Sequence, residues 1–178
     1  MFAALYLPNF YMQAAVRHQS FGPEIPVGLI DEQEKKAVLI QFNAAAEAAG
    51  VTKGMTPSQG LARCLSLVIK ARALPQEKSI QDMLLHYAFT LTPYVEDTGP
   101  GLCTIQVTDC RDLANKVSLV IEQLAKCEIV AQAGLGPTPD LSFLAAHLAR
   151  PVLQIENAEQ FLAPLPIETL AISAPHVR

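Results

Sequence analysis

Few residues of this chain are grouped as chemistry requires. The adjacent acids Glu96 and Asp97 precede the turn Gly99-Pro100-Gly101. Side by side, two carboxylates can hold cations, but a pair just before a glycine turn reads more simply as a strand-edge or turn pair, or as a contact with a partner. Gly134-Leu-Gly136 stands before a helix start at Thr138-Pro139, and a glycine turn at a helix N-terminus can hold phosphate. Here the third glycine is missing, Pro137 and Pro139 remove two amide donors, and no acid follows at the spacing of a dinucleotide site. Cys64, Cys103, Cys110 and Cys127 form no C-x-x-C pair, so their spacing predicts reduced thiols and no zinc site. His18, His86, His147 and His176 have no ligand spacing, and His86 and His147 fall in helical patterns where a structural role is expected. No Ser-His-Asp or Cys-His arrangement is supported by spacing.

Bulk composition narrows the function classes. The 178 residues suit one domain, or one with a small appended lobe. At 51% hydrophobic and 17% charged, the chain has ample material for a core. Its apolar runs are short and interrupted, which excludes a transmembrane helix, and the N-terminus lacks a basic signal-peptide region. A cytoplasmic protein is expected. Net charge is −4, whereas duplex binding needs a basic face to neutralise phosphates. Lys35, Lys36, Lys53, Arg63, Lys70 and Arg72 alternate with apolar runs and read as solvated surface, so weak or no DNA binding is expected of this stretch alone.

The elements that would position these residues can be read from periodicity and caps. Residues 2–7 form a buried strand, and Asn9 caps a helix over 10–18. Strands at 26–30 and 37–42 flank the charged turn 31–36. Asn43 caps a short helix ended by Gly50. Thr56-Pro-Ser-Gln59 is a capping box with proline at the first helical position. A strand over 67–71 closes at Leu74-Pro75. An amphipathic helix over 76–90 carries Ile80, Met83, Leu84, Tyr87 and Ala88 on its core stripe. Strands at 94–97 and 102–108 are joined through the glycine turn. A helix from Asp109 and Asp112 to Lys126 matches the dipole at both ends. A strand over 128–135, a helix over 138–149, a strand over 151–155 and a helix capped by an Asn157–Gln160 box complete the chain. The strand–helix–strand–strand–helix–strand order, with a block inserted after the first helix, predicts an α/β (α+β) fold: a ferredoxin-like split βαβ with a mixed or antiparallel sheet.

Five segments, taken in order, resemble the Y-family (UmuC-like) DNA polymerases. They are Asn9-Phe-Tyr11 after the first strand, Asn43–Val51 with Gly54-Met55, Pro93–Thr108, Gly134-Leu-Gly-Pro-Thr138 and Phe161-Leu-Ala-Pro-Leu-Pro166. The resemblance implies a palm-like subdomain at 1–20 and 75–170, a fingers-like subdomain at 21–74, and a tail at 171–178 leading toward a thumb. It also implies strands that hold two cations about 4 Å apart for nucleotidyl transfer. The implied acidic places read Tyr6, Pro8, Gly101 and Leu102, and only the carbonyl of Leu7 remains between the first two. The implied triphosphate contacts read Ala44 and Glu47, which offer no donor and a like charge. Pro139 and Phe143 stand near the places of the family's palm lysines. In an extended strand Asp97 would lie about 13 Å from Gly101, too far to take over as a ligand.

The pattern resembles the ImuB branch of that family. This implies a chain that is not an enzyme, holds no metal or cofactor, and works as an adaptor in DNA-damage-induced (SOS) translesion synthesis. The implied partners are an error-prone polymerase, a RecA-like accessory protein and the sliding clamp, the last reached through a C-terminal region beyond Arg178. Gln160-Phe-Leu162 has the wrong spacing for a clamp motif and reads as helix core. Two rival readings stand beside this one: an active nucleotidyltransferase with a displaced site, and an unrelated small α/β binding module. Tyr6 and Gly101 on adjacent central strands of one sheet would dispose of the latter.

Overall fold

The computed structural model describes residues 1–17, 19, 21–32, 37–108 and 111–171. His18, Lys35, Lys36, Asp109, Cys110 and His176 lie outside the described residues. The chain divides into two compact units, one of Met1–Pro8 with residues from Ile80 onward, the other of Asn9–Ser79. No described helix is long and apolar enough to cross a membrane.

The first unit is built on a five-stranded sheet of order β5-β6-β1-β7-β8. Its strands are β1 (Phe2–Tyr6), β5 (Val95–Gly99), β6 (Leu102–Gln106), β7 (Gln132–Gly136) and β8 (Val152–Gln154). β1 is central and antiparallel to both β6 and β7, while β8 joins β7 in parallel after the crossover helix α6 (Pro139–Leu148). β1, β5, β6 and β7, with helix α4 (Leu74–Phe89) before β5 and helix α5 (Leu113–Lys126) before β7, follow the split βαβ order expected from the sequence.

Alternation assigns the side chains of this sheet to two faces. Ala4, Tyr6 and Leu102 share one face, where Phe143 and Ala146 of α6 cover them. Ala3, Leu5, Cys103 and Ile105 point to the other and are fully buried. Ile80 and Leu84 of α4 and Val117 and Leu124 of α5 are likewise fully buried in this unit's core.

In the second unit, β2 (Val27–Ile30) lies between antiparallel β3 (Leu39–Phe42) and parallel β4 (Val68–Ala71). Two small cores flank this sheet. Met12 and Ala15 of α1 (Phe10–Val16) pack with Val27 and Leu29. Leu39 packs with Ala46, Val51, Cys64 and Leu67 around α2 (Ala44–Ala48) and α3 (Pro57–Arg63). Asn43 joins these parts, because its side chain accepts from the amides of Val27 and Ala46 at 3.0 Å each and donates to the carbonyl of Ile25 at 2.7 Å.

Several boundaries differ from the sequence expectation for local reasons. The inserted block begins before α1, because α1 buries its apolar face on β2. The palm-like stretch 1–20 therefore gives up residues from Asn9, and 75–79 group with the second unit. Asn9 and Asp112 take left-handed backbone (φ 51° and 58°) and make no side-chain cap bond, so Asn9 does not act as the expected cap, while Asp112 stands at the start of α5 as its charge suggests. Leu74-Pro75 does not break the chain; it forms the first turn of α4, where a proline lacks no helical hydrogen bond. The strand expected over 128–135 starts only at Gln132, after Glu128 turns the chain with φ 60°. A 3₁₀ turn covers Ile167–Ala171 just after α7 (Ala158–Leu162).

Candidate functional site

Tyr6 and Leu102 face each other across β1 and β6, and Gly101 ends the turn just before Leu102. The amide of Leu7 donates to the carbonyl of Gly101 at 2.7 Å, so the pairing continues past the strand ends. The palm-like sheet thus brings Tyr6, Leu7, Gly101 and Leu102 together, as the resemblance requires, with Pro8 next along the chain.

Apolar and aromatic packing fills the place. The ring of Tyr6 stacks on the imidazole of His147 with centroids 4.0 Å apart, and Phe143 lies 4.3 Å from the same imidazole. Phe143 and His147 are one helical turn apart on α6, so both reach the same patch. His147 Nδ1 donates to the carbonyl of Phe143 at 2.9 Å. Burial lowers the pKa of His147 and raises that of Tyr6, so both are neutral near pH 7. Leu102 is 4% exposed against Ala4 and Ala146. Tyr6, Pro8, Gly101 and Leu102 supply no carboxylate, and among the described residues no group of three His, Cys, Asp or Glu side chains is arranged to hold a metal. This set does not fit a two-cation centre.

The nearby acids take a different arrangement from the one expected. β5 and β6 fold back on each other, so the straight-strand separation of Asp97 from Gly101 does not hold. Gln81 of α4 bridges them: its Oε1 accepts from the Gly101 amide at 2.8 Å, and its Nε2 donates to Asp97 at 2.6 Å and to the Gly99 carbonyl at 3.2 Å. Asp97 is opposite Cys103, however, and so projects to the sheet face away from Tyr6. Glu96, opposite Thr104, shares the Tyr6 face but is exposed and two residues along. Asp97 also contributes, after burial, to holding the Cys103 thiol up at about 12.

In the second unit, Ala44 and Glu47 stand one turn apart on α2 and both are exposed. Arg72, expected to be a solvated base, is instead the centre of a polar cluster. Its Nε and Nη2 bind the two carboxylate oxygens of Glu77 at 2.9 and 2.6 Å, and its Nη1 binds Asp31 at 2.7 Å. Its guanidinium lies 4.3 Å from the centre of the Tyr11 ring. These pairings hold the guanidinium firmly charged. Lys70 lies over Phe21 at 5.3 Å. Neither contact is visible in sequence spacing, since Arg72 and Asp31 are brought together only by β2 and β4 pairing.

The glycines of Gly134-Leu-Gly136 serve packing. A Cβ on Gly134 would lie 2.1 Å from the Ser142 carbonyl oxygen and 2.2 Å from the Ala146 amide nitrogen, so α6 rests directly on β7. Ser142 is fully buried and its hydroxyl donates to the carbonyl of Phe2 at 3.0 Å.

Residues 5–147 match the model of the impB/mucB/samB family. The chain belongs to this family. It is 24% identical over 154 residues to DNA polymerase IV of Ralstonia nicotianae, covering 82% of this chain and 43% of that protein. It is 22% identical over 170 residues to DNA polymerase IV of Serratia proteamaculans, covering 90% and 48%. Among solved structures, it resembles the insertion ternary complex of Dbh DNA polymerase with a TM-score of 0.80 at 16% identity, over 95% of this chain and 53% of that one. DinB from Sulfolobus solfataricus gives 0.77 at 15% over the same shares. The fold is that of a Y-family polymerase palm domain, and the chain spans about half the length of the relatives it matches.

The relatives correct one expectation. Tyr6, Pro8, Gly101 and Leu102 suggest that the chain is not an enzyme, but the family matched here is one whose members are named as DNA polymerases. Neutral residues at four positions do not take the chain out of an enzyme family. The unrelated-module reading is excluded by the family match, and Tyr6 on β1 pairs with Leu102 on the adjacent β6, directly after Gly101.

Proposed function

We propose that this chain is the palm-and-fingers part of a Y-family protein of the ImuB type, and that it serves DNA-damage-induced (SOS) translesion synthesis as an adaptor in the cytoplasm. Its partners in this reading are an error-prone polymerase, a RecA-like accessory protein and the sliding clamp. One observation supports it: the Tyr6–His147–Phe143 stack fills the palm with neutral, packed side chains, while the sheet beneath keeps the family's pairing.

The test uses the full-length protein. Deleting its gene should lower the mutation frequency after DNA damage, and the purified protein should bind the error-prone polymerase of the same organism. Unchanged induced mutagenesis together with no polymerase binding would defeat the reading. Primer extension with magnesium or manganese is measured alongside, because the family is enzymatic and an adaptor role does not depend on the answer.

A further inference from the structure

β5 is an edge strand of the five-stranded sheet. The hydrogen-bond phase of its pairing can be worked out. Gln106 donates to the carbonyl of Tyr94 at 3.0 Å, so Tyr94 and Gln106 form a bonded pair. Antiparallel pairs alternate between bonded and non-bonded. Glu96 and Thr104 are therefore bonded, while Val95 and Asp97 are not. The other side of β6 agrees, since Leu7–Gly101 and Met1–Val107 are bonded and direct Cys103 and Ile105 toward β1. The amides and carbonyls of Val95 and Asp97 hence point outward from the sheet.

The side chains decide what this edge accepts. Glu96 projects on one face and Asp97 on the other, and both are exposed. A second copy of the same edge would bring acid against acid, which disfavours self-pairing. A strand with two adjacent cations would place one opposite each acid. Tyr94, 62% exposed, stands at the open end of the edge, and the irregularity between Asp97 and Gly99 closes the other.

We propose that the edge Tyr94–Asp97 takes an added strand from a partner protein, an extended segment carrying two adjacent Lys or Arg residues. This rests on the adaptor reading and names its contact. Main-chain bonds to Val95 and Asp97 supply affinity, and the two acids supply selectivity.

The probe is an eight-residue peptide of alternating Thr and Val with two adjacent lysines at its centre, titrated into the full-length protein. Amide hydrogen exchange should slow at Val95 and Asp97. Glu96→Lys should weaken peptide binding about tenfold, and a peptide with Glu-Glu at its centre should not bind. Absence of binding, unchanged exchange at Val95 and Asp97, or full binding by Glu96→Lys would overturn the proposal. Glu96→Lys is also tested for binding the error-prone polymerase. Retention there refutes the edge and leaves the adaptor reading standing; a wild-type protein that binds no polymerase, with induced mutagenesis unchanged when its gene is deleted, defeats the adaptor reading itself.

Discussion

Replacing Gly134 by Ala tests why the glycines before α6 are there. If they served a phosphate, a methyl group would cost ligand affinity and leave the fold intact. The packing says otherwise. The new Cβ would meet the Ser142 carbonyl oxygen at 2.1 Å, the Ala146 amide nitrogen at 2.2 Å and the Ala145 Cβ at 2.6 Å. Two of these are helix backbone and cannot rotate away. Reaching even 3.0 Å from 2.1 Å requires α6 to retreat by about 0.9 Å. A gap of that size forfeits roughly a quarter to a half of each facing contact. Ser142, Leu144, Ala145 and Ala146 are the buried residues affected. Gly134 does not have positive φ, so no backbone strain is added, and alanine recovers about 0.5–1 kcal/mol of chain entropy. The net cost should be about 2–4 kcal/mol, or a Tm lower by about 5–15 °C for a chain of this length. Urea denaturation and thermal melting measure it. Gly136→Ala is the internal control, since its nearest contacts are 3.3 Å, and it should cost clearly less. A Gly134→Ala protein as stable as the wild type, or more stable than Gly136→Ala, would refute the packing account.

Two other outcomes follow from the clusters described. Arg72→Ala should destabilise by about 2–4 kcal/mol in urea denaturation, because it strips both oxygens of the 6%-exposed Glu77 and also Asp31. Arg72→Lys should recover only part, since lysine keeps the charge without the fork, and a full recovery would show that charge alone matters. His147 has a folded-state pKa below its ordinary 6.5, so the unfolded chain binds the extra proton first. Its contribution to stability is present above pH 6.5 and is lost as pH falls through that value toward the folded pKa. The wild type should thus lose more stability than His147→Gln between about pH 7.5 and pH 5.5, and equal losses in urea midpoints would contradict the buried stack.

What could be read from the sequence divides by the range of the interaction. The caps at Asn43 and Thr56 and the helix start at Thr138 are local, and each forms its expected bond. The apolar run at 2–7 and the apolar residues at 102–108 mark β1 and β6, because central strands are buried on both faces. The cap expected at Asn9 is not made, because this residue takes the left-handed backbone open to Asn, and Asp112, in the same conformation, accepts from the Asn115 side chain and not from a helix amide. The position of α1 is not legible in the sequence for another reason. Its apolar residues show that it is buried, but only the contacts of Met12 and Ala15 with Val27 and Leu29 show against what.

The candidate site separates geometry from chemistry. Its geometry is set by backbone pairing, Leu7 to Gly101 and Val107 to Met1, and by the Gln81 side chain that grips Gly101, Gly99 and Asp97. None of these bonds uses the side chains of Tyr6, Pro8 or Leu102. Those three can therefore vary while the strands stay in register, and the identity of the residues reveals the chemistry but not the frame. Gln81 is the converse case. It has no chemical signature, and its partners are 16–20 residues away in sequence, yet it fixes the turn on which Gly101 stands. A family likeness at 24% identity or less, with a TM-score of 0.80, fits such a division, because main-chain bonds can hold the frame whatever these side chains are.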